Sequence, residues 1–229
     1  LGKYVENNFI GVNSGIMDQF IIATGKKDHA ILLNTETLEY QQVPLILDTY
    51  SLLIVNTNKQ RGLADSKYNE RYQECQDALS ILKPKFGIKN LCSLTNQQLL
   101  ASKELLSETV YRRTRHVQSE QQRTILSAKA LKAGQIKEFA NLMIASHQSL
   151  KDDYEVTGIE LDTLVDALLA SGATGARMTG AGFGGCVVAI VETTSLDSII
   201  KNTKEIYTKK IGYEPSFYNV APEDGVSLI

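Results

Sequence analysis

The twelve-residue stretch GARMTGAGFGGC, residues 175–186, constrains this chain more than any other. Five of its residues are glycine, and glycine at this density lets a backbone visit positive φ and bring its N–H groups close to a ligand or a neighbouring loop. A run with helical period precedes it (Leu161, Leu164, Val165, Leu168, Leu169), and a short apolar run over 187–191 follows and reads as a buried strand. The spacing therefore predicts a helix-to-strand loop. Gly180, Gly182 and Gly185 match G-x-G-x-x-G, but a dinucleotide site needs strand, glycines and helix in that order. A P-loop is excluded too, since no Gly-Lys-Ser/Thr follows. Taken alone, the glycines are accounted for by a tight turn and close packing of helix on sheet.

With 229 residues, 43% of them hydrophobic, the chain can bury a substantial core as one large domain or two small ones. Its net charge of −2, with both signs spread throughout, gives no electrostatic case for nucleic acid or an anionic membrane. No apolar run reaches the length of a membrane span. Cys75, Cys92 and Cys186 are odd in number and far apart, which argues against a disulfide framework and a zinc site; they are read as reduced core thiols. The composition is that of a cytoplasmic globular protein. Because the chain opens on Leu1 rather than Met, it is expected to be a fragment whose N-terminal portion is absent.

Asn13, Ser14 and Gly15 are turn and cap residues, and 16–24 reads as a short apolar helix closed by Gly25. Asp18 stands in its first turn among Ile16, Met17, Phe20, Ile21 and Ile22. Such a carboxylate either favours the helix dipole or, held ionised by it, orients or deprotonates a substrate hydroxyl. From 30 to 56 short strand-like runs suggest an antiparallel meander, with Pro44 ending the middle strand or marking an edge. A helix over 63–82 carries Tyr68, Tyr72, Cys75, Leu79 and Leu82 on one stripe and ends at Lys83-Pro84. Tyr68, at the start of that stripe, is either core or turned towards a cleft.

Helices are predicted over 97–106, 107–133, 136–150 and 159–170. Arg112, Arg113, Arg115, His116 and Arg123 form a basic cluster that is expected to be a solvated face paired with Glu108 and Glu120. His147 is read as a packed residue, and no histidine receives a catalytic role. After the glycines come a strand over 186–191, a helix over 195–211 and a strand over 216–220, which makes an α+β layered domain. A boundary near residue 60 divides the chain into 1–60 and 61–229.

Three stretches, GVNSGIMDQF at 11–20, NTNKQRGLADSKYNERYQEC at 56–75 and the glycine stretch, resemble galactokinases of the GHMP kinase superfamily in order and spacing. YRRTRHVQSEQQRT at 111–124 and LNTETLEYQQVPL at 33–45 look like the same family. The resemblance covers essentially the whole chain. It implies transfer of phosphate from ATP, with Mg2+, to the anomeric hydroxyl of galactose. It implies a two-domain α+β fold with a ferredoxin-like C-terminal domain, the N-terminal domain being only partly present. By the same resemblance Asp18 is the catalytic acidic residue beside the sugar, Gly15 and Tyr68 are sugar contacts, and Gly180, Gly182, Gly184 and Gly185 border the active site and support the phosphate loop. No metal ligand is assigned.

Two departures from the family pattern stand out. Ser14 occupies a position where the family commonly has Cys, a near-isosteric change. The family's first motif, with its catalytic Arg, and its Ser-rich phosphate loop are not in the sequence. Phosphoryl transfer depends on positioning and charge stabilisation by such a loop, so the isolated chain is expected not to turn over, and to self-associate through apolar surface the absent segment would cover. Two alternatives remain: a galactokinase-like galactose and ATP sensor acting through a protein partner, and a sugar 1-kinase for N-acetylgalactosamine or arabinose.

Overall fold

A computed structural model describes residues 2–5, 8–9, 15–60 and 64–227. The turn residues Asn13 and Ser14, and the expected helix start at Leu63, lie outside the described residues. The helices are α1 (Gly2–Val5), α2 (Met17–Thr24), α3 (Ala64–Phe86), α4 (Asn96–Ser102), α5 (Glu108–Lys132), α6 (Ile136–Ser149), α7 (Ile159–Ala170) and α8 (Leu196–Ile211). The strands are β1 (His29–Leu33), β2 (Tyr40–Pro44), β3 (Tyr50–Asn56), β4 (Gly175–Thr179), β5 (Cys186–Glu192) and β6 (Ser216–Val220). Among the described residues no helix is long and apolar enough to cross a membrane.

Strands β1 and β2 pair with each other, and a second, wholly antiparallel sheet has the order β4-β5-β3-β6. Read as strand, helices, strand, strand, helix, strand, this order is the ferredoxin-like arrangement. The expected meander is thereby corrected. Strand β3 leaves β1 and β2 and lies between β5 and β6, so residues 50–56 pack with partners beyond residue 180.

Both faces of the larger sheet are covered, which is why β3 and β5 read as nearly unbroken apolar runs. Leu53, Val55, Val187, Ala189 and Val191 face α7 and α8, joining Leu161, Leu164, Leu168, Ile199 and Tyr207 in one core. On the opposite face Ile190 joins Val43 of β2 with Leu131 and Met143 of α5 and α6. A third cluster packs Ala78 and Leu82 of α3 on Leu91 and Leu94, with Val110 and Val117 of α5 beside them.

Three local expectations are also corrected. The helix α3 passes through Pro84 and ends at Phe86, where Gly87 turns the chain with φ of 65°. Tyr72 is exposed, and so is Cys92, whereas Cys75 and Cys186 are half-buried. The glycine stretch is not a helix-to-strand loop: its first five residues form β4, with Ala176 and Met178 buried, and residues 180–185 join two antiparallel strands.

Candidate active site

The 180–185 loop takes left-handed backbone at nearly every step: φ is 81° at Gly180, 89° at Gly182, 60° at Phe183, 131° at Gly184 and 87° at Gly185. Its glycines do two different jobs. A β-carbon on Gly182 would stand 2.1 Å from the Val156 carbonyl oxygen, and one on Gly184 would stand 3.0 Å from the Lys59 side chain. At Gly180 and Gly185 a β-carbon would meet nothing within 4 Å, so only the positive φ favours glycine there. The Phe183 N–H donates to the Val156 carbonyl at 2.7 Å, and the Thr57 N–H donates to the Gly185 carbonyl at 2.9 Å.

Positive charge flanks this loop. The Lys67 ammonium stands 5.6 Å from the centre of the Phe183 ring, a cation–π distance, and Lys59 pairs with Glu160 at 3.0 Å. Lys67 and Tyr68 are neighbours in α3, so the start of that helix borders the loop. Tyr68 is 40% exposed and near Tyr154, whose phenol is pushed up by burial first and by Cys75 and Tyr68 after it.

On the other side of β4 a cavity of about 410 Å3 opens between the two sheets and the helices α5 and α6. Met17 of α2 and Thr179 of β4 both line it, which brings the start of the Asp18 helix to the cavity that the strand before Gly180 also borders. Asp18 itself is exposed. Ile16, the residue at the helix cap, makes no side-chain cap bond, and Asp18 makes no side-chain bond or ion pair among the described residues. Gly15 is exposed coil whose β-carbon would meet nothing within 4 Å.

The cavity wall also holds three charges: Glu120 and Arg123, expected to pair as part of the basic cluster, and Arg177, which the sequence alone did not single out. Glu120 accepts from Ser146 Oγ at 2.5 Å, Arg123 Nε at 2.7 Å and Arg177 Nη1 at 3.3 Å. Burial alone would raise the Glu120 carboxyl, but Ser146, Arg177 and Arg123 outweigh it and hold it below the ordinary range. Arg177 was hidden inside the glycine stretch; its place in a strand alternating with Ala176 and Met178 is the signal that points it to this face.

The basic cluster is not a uniformly solvated face: Arg115 is exposed, but Arg113 and His116 are buried and Arg112 and Arg123 half-buried. Arg113 is 1% exposed and its partners are Glu74 and Glu155; Arg115 pairs with Asp153. Of the two acids expected to pair with the cluster, Glu120 does so, through Arg123. His116 is buried, stacked on Tyr154 with ring centres 4.5 Å apart. His147 is packed as expected: its Nδ1 accepts the Met178 N–H at 3.3 Å, which leaves the ring proton on Nε2, 3.4 Å from Asp162.

The family model for the C-terminal part of GHMP kinases matches residues 127–207. The galactokinase of Staphylococcus saprophyticus is 51% identical over 100% of this chain and 60% of its own length. That of Clostridium acetobutylicum is 54% identical over 98% of this chain and 58% of its own. The crystal structure of Lactococcus lactis galactokinase complexed with galactose superposes with a TM-score of 0.93 at 46% identity, covering 98% of this chain and 58% of that one. The chain thus spans about 60% of the length of the curated relatives it matches. Mevalonate kinase of L. major, at 18% identity and a TM-score of 0.53, shares the fold.

Proposed function

The chain belongs to the galactokinase branch of the GHMP kinases, and from that premise we propose that the whole protein transfers phosphate from ATP to the anomeric hydroxyl of galactose. The observation that carries this reading is identity of about half over the full chain to proteins of one named activity. The placement of Asp18 and of the glycine loop supports it. Asp18 is proposed as the group that orients the sugar hydroxyl and accepts its proton; it is exposed and, among the described residues, unpaired, in the first turn of α2. Gly15, where nothing fills the space a β-carbon would take, and Tyr68, whose ring is partly exposed, are proposed as sugar contacts.

For ATP, the fit lies in the 180–185 loop. Open backbone at Gly180 and Gly185, with Lys67 beside the loop, suits an anionic phosphate chain or the loop that cradles it. Among the described residues no three His, Cys, Asp or Glu side chains gather as a metal-ligand set. Mg2+ binds through one or two carboxylates plus substrate phosphates, and it is proposed to enter on ATP. Transfer of this kind is driven by positioning and charge stabilisation, so the activity is assigned to the protein carrying the remaining length of its relatives too. The cytoplasm, where ATP is supplied, is the proposed location. The apolar side chains that α2 exposes, Met17, Ile21 and Ile22, are the proposed seat of further chain or of a second copy.

The deciding experiment is sugar-dependent ADP release by the full-length protein with galactose, N-acetylgalactosamine and arabinose in parallel. Turnover with galactose well above the other two supports the reading. Galactose binding without ADP release would replace the kinase with a sensor.

A further inference from the structure

A cation as deeply placed as Arg113 is tolerated only where its donors are matched. Here Nε donates to Glu74 Oε2 at 2.9 Å, Nη1 to the Asp153 carbonyl at 2.6 Å and Nη2 to Glu155 Oε2 at 2.5 Å. Burial would lower the guanidinium, but the bonds to Glu155 and Glu74 outweigh it and hold it above its ordinary value. One side chain of α5 thereby joins α3, through Glu74, to the wide π-helical turn (Leu150–Tyr154) at the end of α6. Arg112 adds a bond to the Asp152 carbonyl and an ion pair to Glu155, each at 2.9 Å, and Arg115 holds the Asp153 carboxylate.

The turn so gripped has an uncommon backbone. Glu155 sits at φ 54° and ψ 49°, a left-handed conformation that a non-glycine residue keeps only where its surroundings enforce it. The next residue is Val156. Its carbonyl accepts the Phe183 N–H and lies where a β-carbon on Gly182 would have to be. Arg113, Glu155, Val156 and Phe183 thus form an unbroken path of contacts from a buried charge to the glycine loop.

We propose that Arg113 is a positioning residue for the 180–185 loop: by fixing the turn at 153–156 it fixes the carbonyl from which the loop hangs. Its effect on catalysis rests on the kinase reading above, whereas its effect on the loop does not. Arg113 acts through Glu155 and Val156, so its loss should loosen the loop selectively rather than weaken the fold evenly.

The test uses the full-length protein with Arg113→Met, Arg113→Lys and the milder Glu155→Gln. Amide hydrogen exchange is followed in peptides covering 150–158 and 180–186, with 29–44 as a reference that Arg113 does not touch. Arg113→Met is expected to speed exchange in 150–158 and 180–186 by about tenfold or more relative to 29–44. It should also raise KM for ATP more than KM for galactose. Arg113→Lys should recover part of both effects, and Glu155→Gln should give the same pattern at smaller amplitude. If Arg113→Met does not fold, Glu155→Gln carries the test, since Glu155 is 42% exposed and its loss costs less packing. Even acceleration across all three peptides, or fast exchange in 150–158 with 180–186 unchanged, overturns the proposal. An unsubstituted protein that phosphorylates no galactose would remove the kinase reading and leave the exchange comparison to decide the role of Arg113.

Discussion

Gly175 of β4 and Ala140 of α6 touch backbone to backbone: a β-carbon on Gly175 would stand 2.6 Å from the Ala140 carbonyl oxygen and 2.7 Å from its methyl carbon. Helix and sheet approach this closely because one side lacks a side chain altogether. Gly175→Ala is therefore expected to destabilise the protein by about 1–3 kcal/mol, the usual cost of forcing a methyl into a packed core. Ala140→Gly in the same chain should return only part of it, because the carbonyl oxygen remains in the way. Urea unfolding of the two single variants and the double variant measures the coupling, and fully additive effects would contradict the contact.

Gly180, Gly182 and Gly185 of the loop should not be equivalent. Gly180→Ala and Gly185→Ala meet open space and carry only backbone strain, about 1–3 kcal/mol each. Gly182→Ala adds a collision with the Val156 carbonyl and should cost more than either. Ranking the three melting temperatures checks this, and equal losses would show that φ alone is responsible.

Much of the fold could be read from local pattern. The helix α7 and the strand β6 have the expected bounds because their periods are clean and their ends carry turn residues. Strand β4 escaped because GARMT has a glycine and a charge and only one β-branched residue, the chemistry of a loop until Ala176 and Met178 are seen to share a buried face. The destination of β3 was illegible for another reason: periodicity tells that a strand exists but not which distant strand it pairs with. Arg113 was misread as solvated because the acids that match it, Glu74 and Glu155, lie 39 and 42 residues away, beyond the reach of helical spacing. Asp18 and the glycines were legible as anomalies of residue type, and the resemblance turned them into a site.

Asp18 should separate chemistry from stability. Because it is exposed and unpaired among the described residues, Asp18→Asn is expected to leave the melting temperature within a degree or two of the parent's. Turnover of the full-length protein should fall by about 10²- to 10⁴-fold, the range for loss of a positioned proton acceptor. A large fall in melting temperature together with activity would make Asp18 a structural residue.

His116 sets an acid limit on the fold. Burial lowers its pKa from 6.5 to about 4, against a smaller upward pull from Glu120. A group with a depressed folded pKa stabilises above its unfolded value and loses that contribution as pH falls, here between about 6.5 and 4. The difference corresponds to roughly 3 kcal/mol. Stability measured by urea unfolding should decline across this window in the parent, and His116→Gln, though less stable at pH 7, should show a visibly shallower decline. Parallel pH profiles for the two proteins would assign the acid sensitivity elsewhere.

The central position of β3 has a consequence for how the chain is made. Its neighbours β5 and β6 lie about 130 and 160 residues further along the chain. During synthesis β3 leaves the ribosome long before either partner exists, and all of α3 to α7 must emerge first. Loop closure over such a span is slow and leaves an apolar strand with both edges unpaired in the meantime. Helices α5 to α7, rich in short-range contacts, are expected to form early and to shield its face. The sheet closes only when the last strand, β6, arrives.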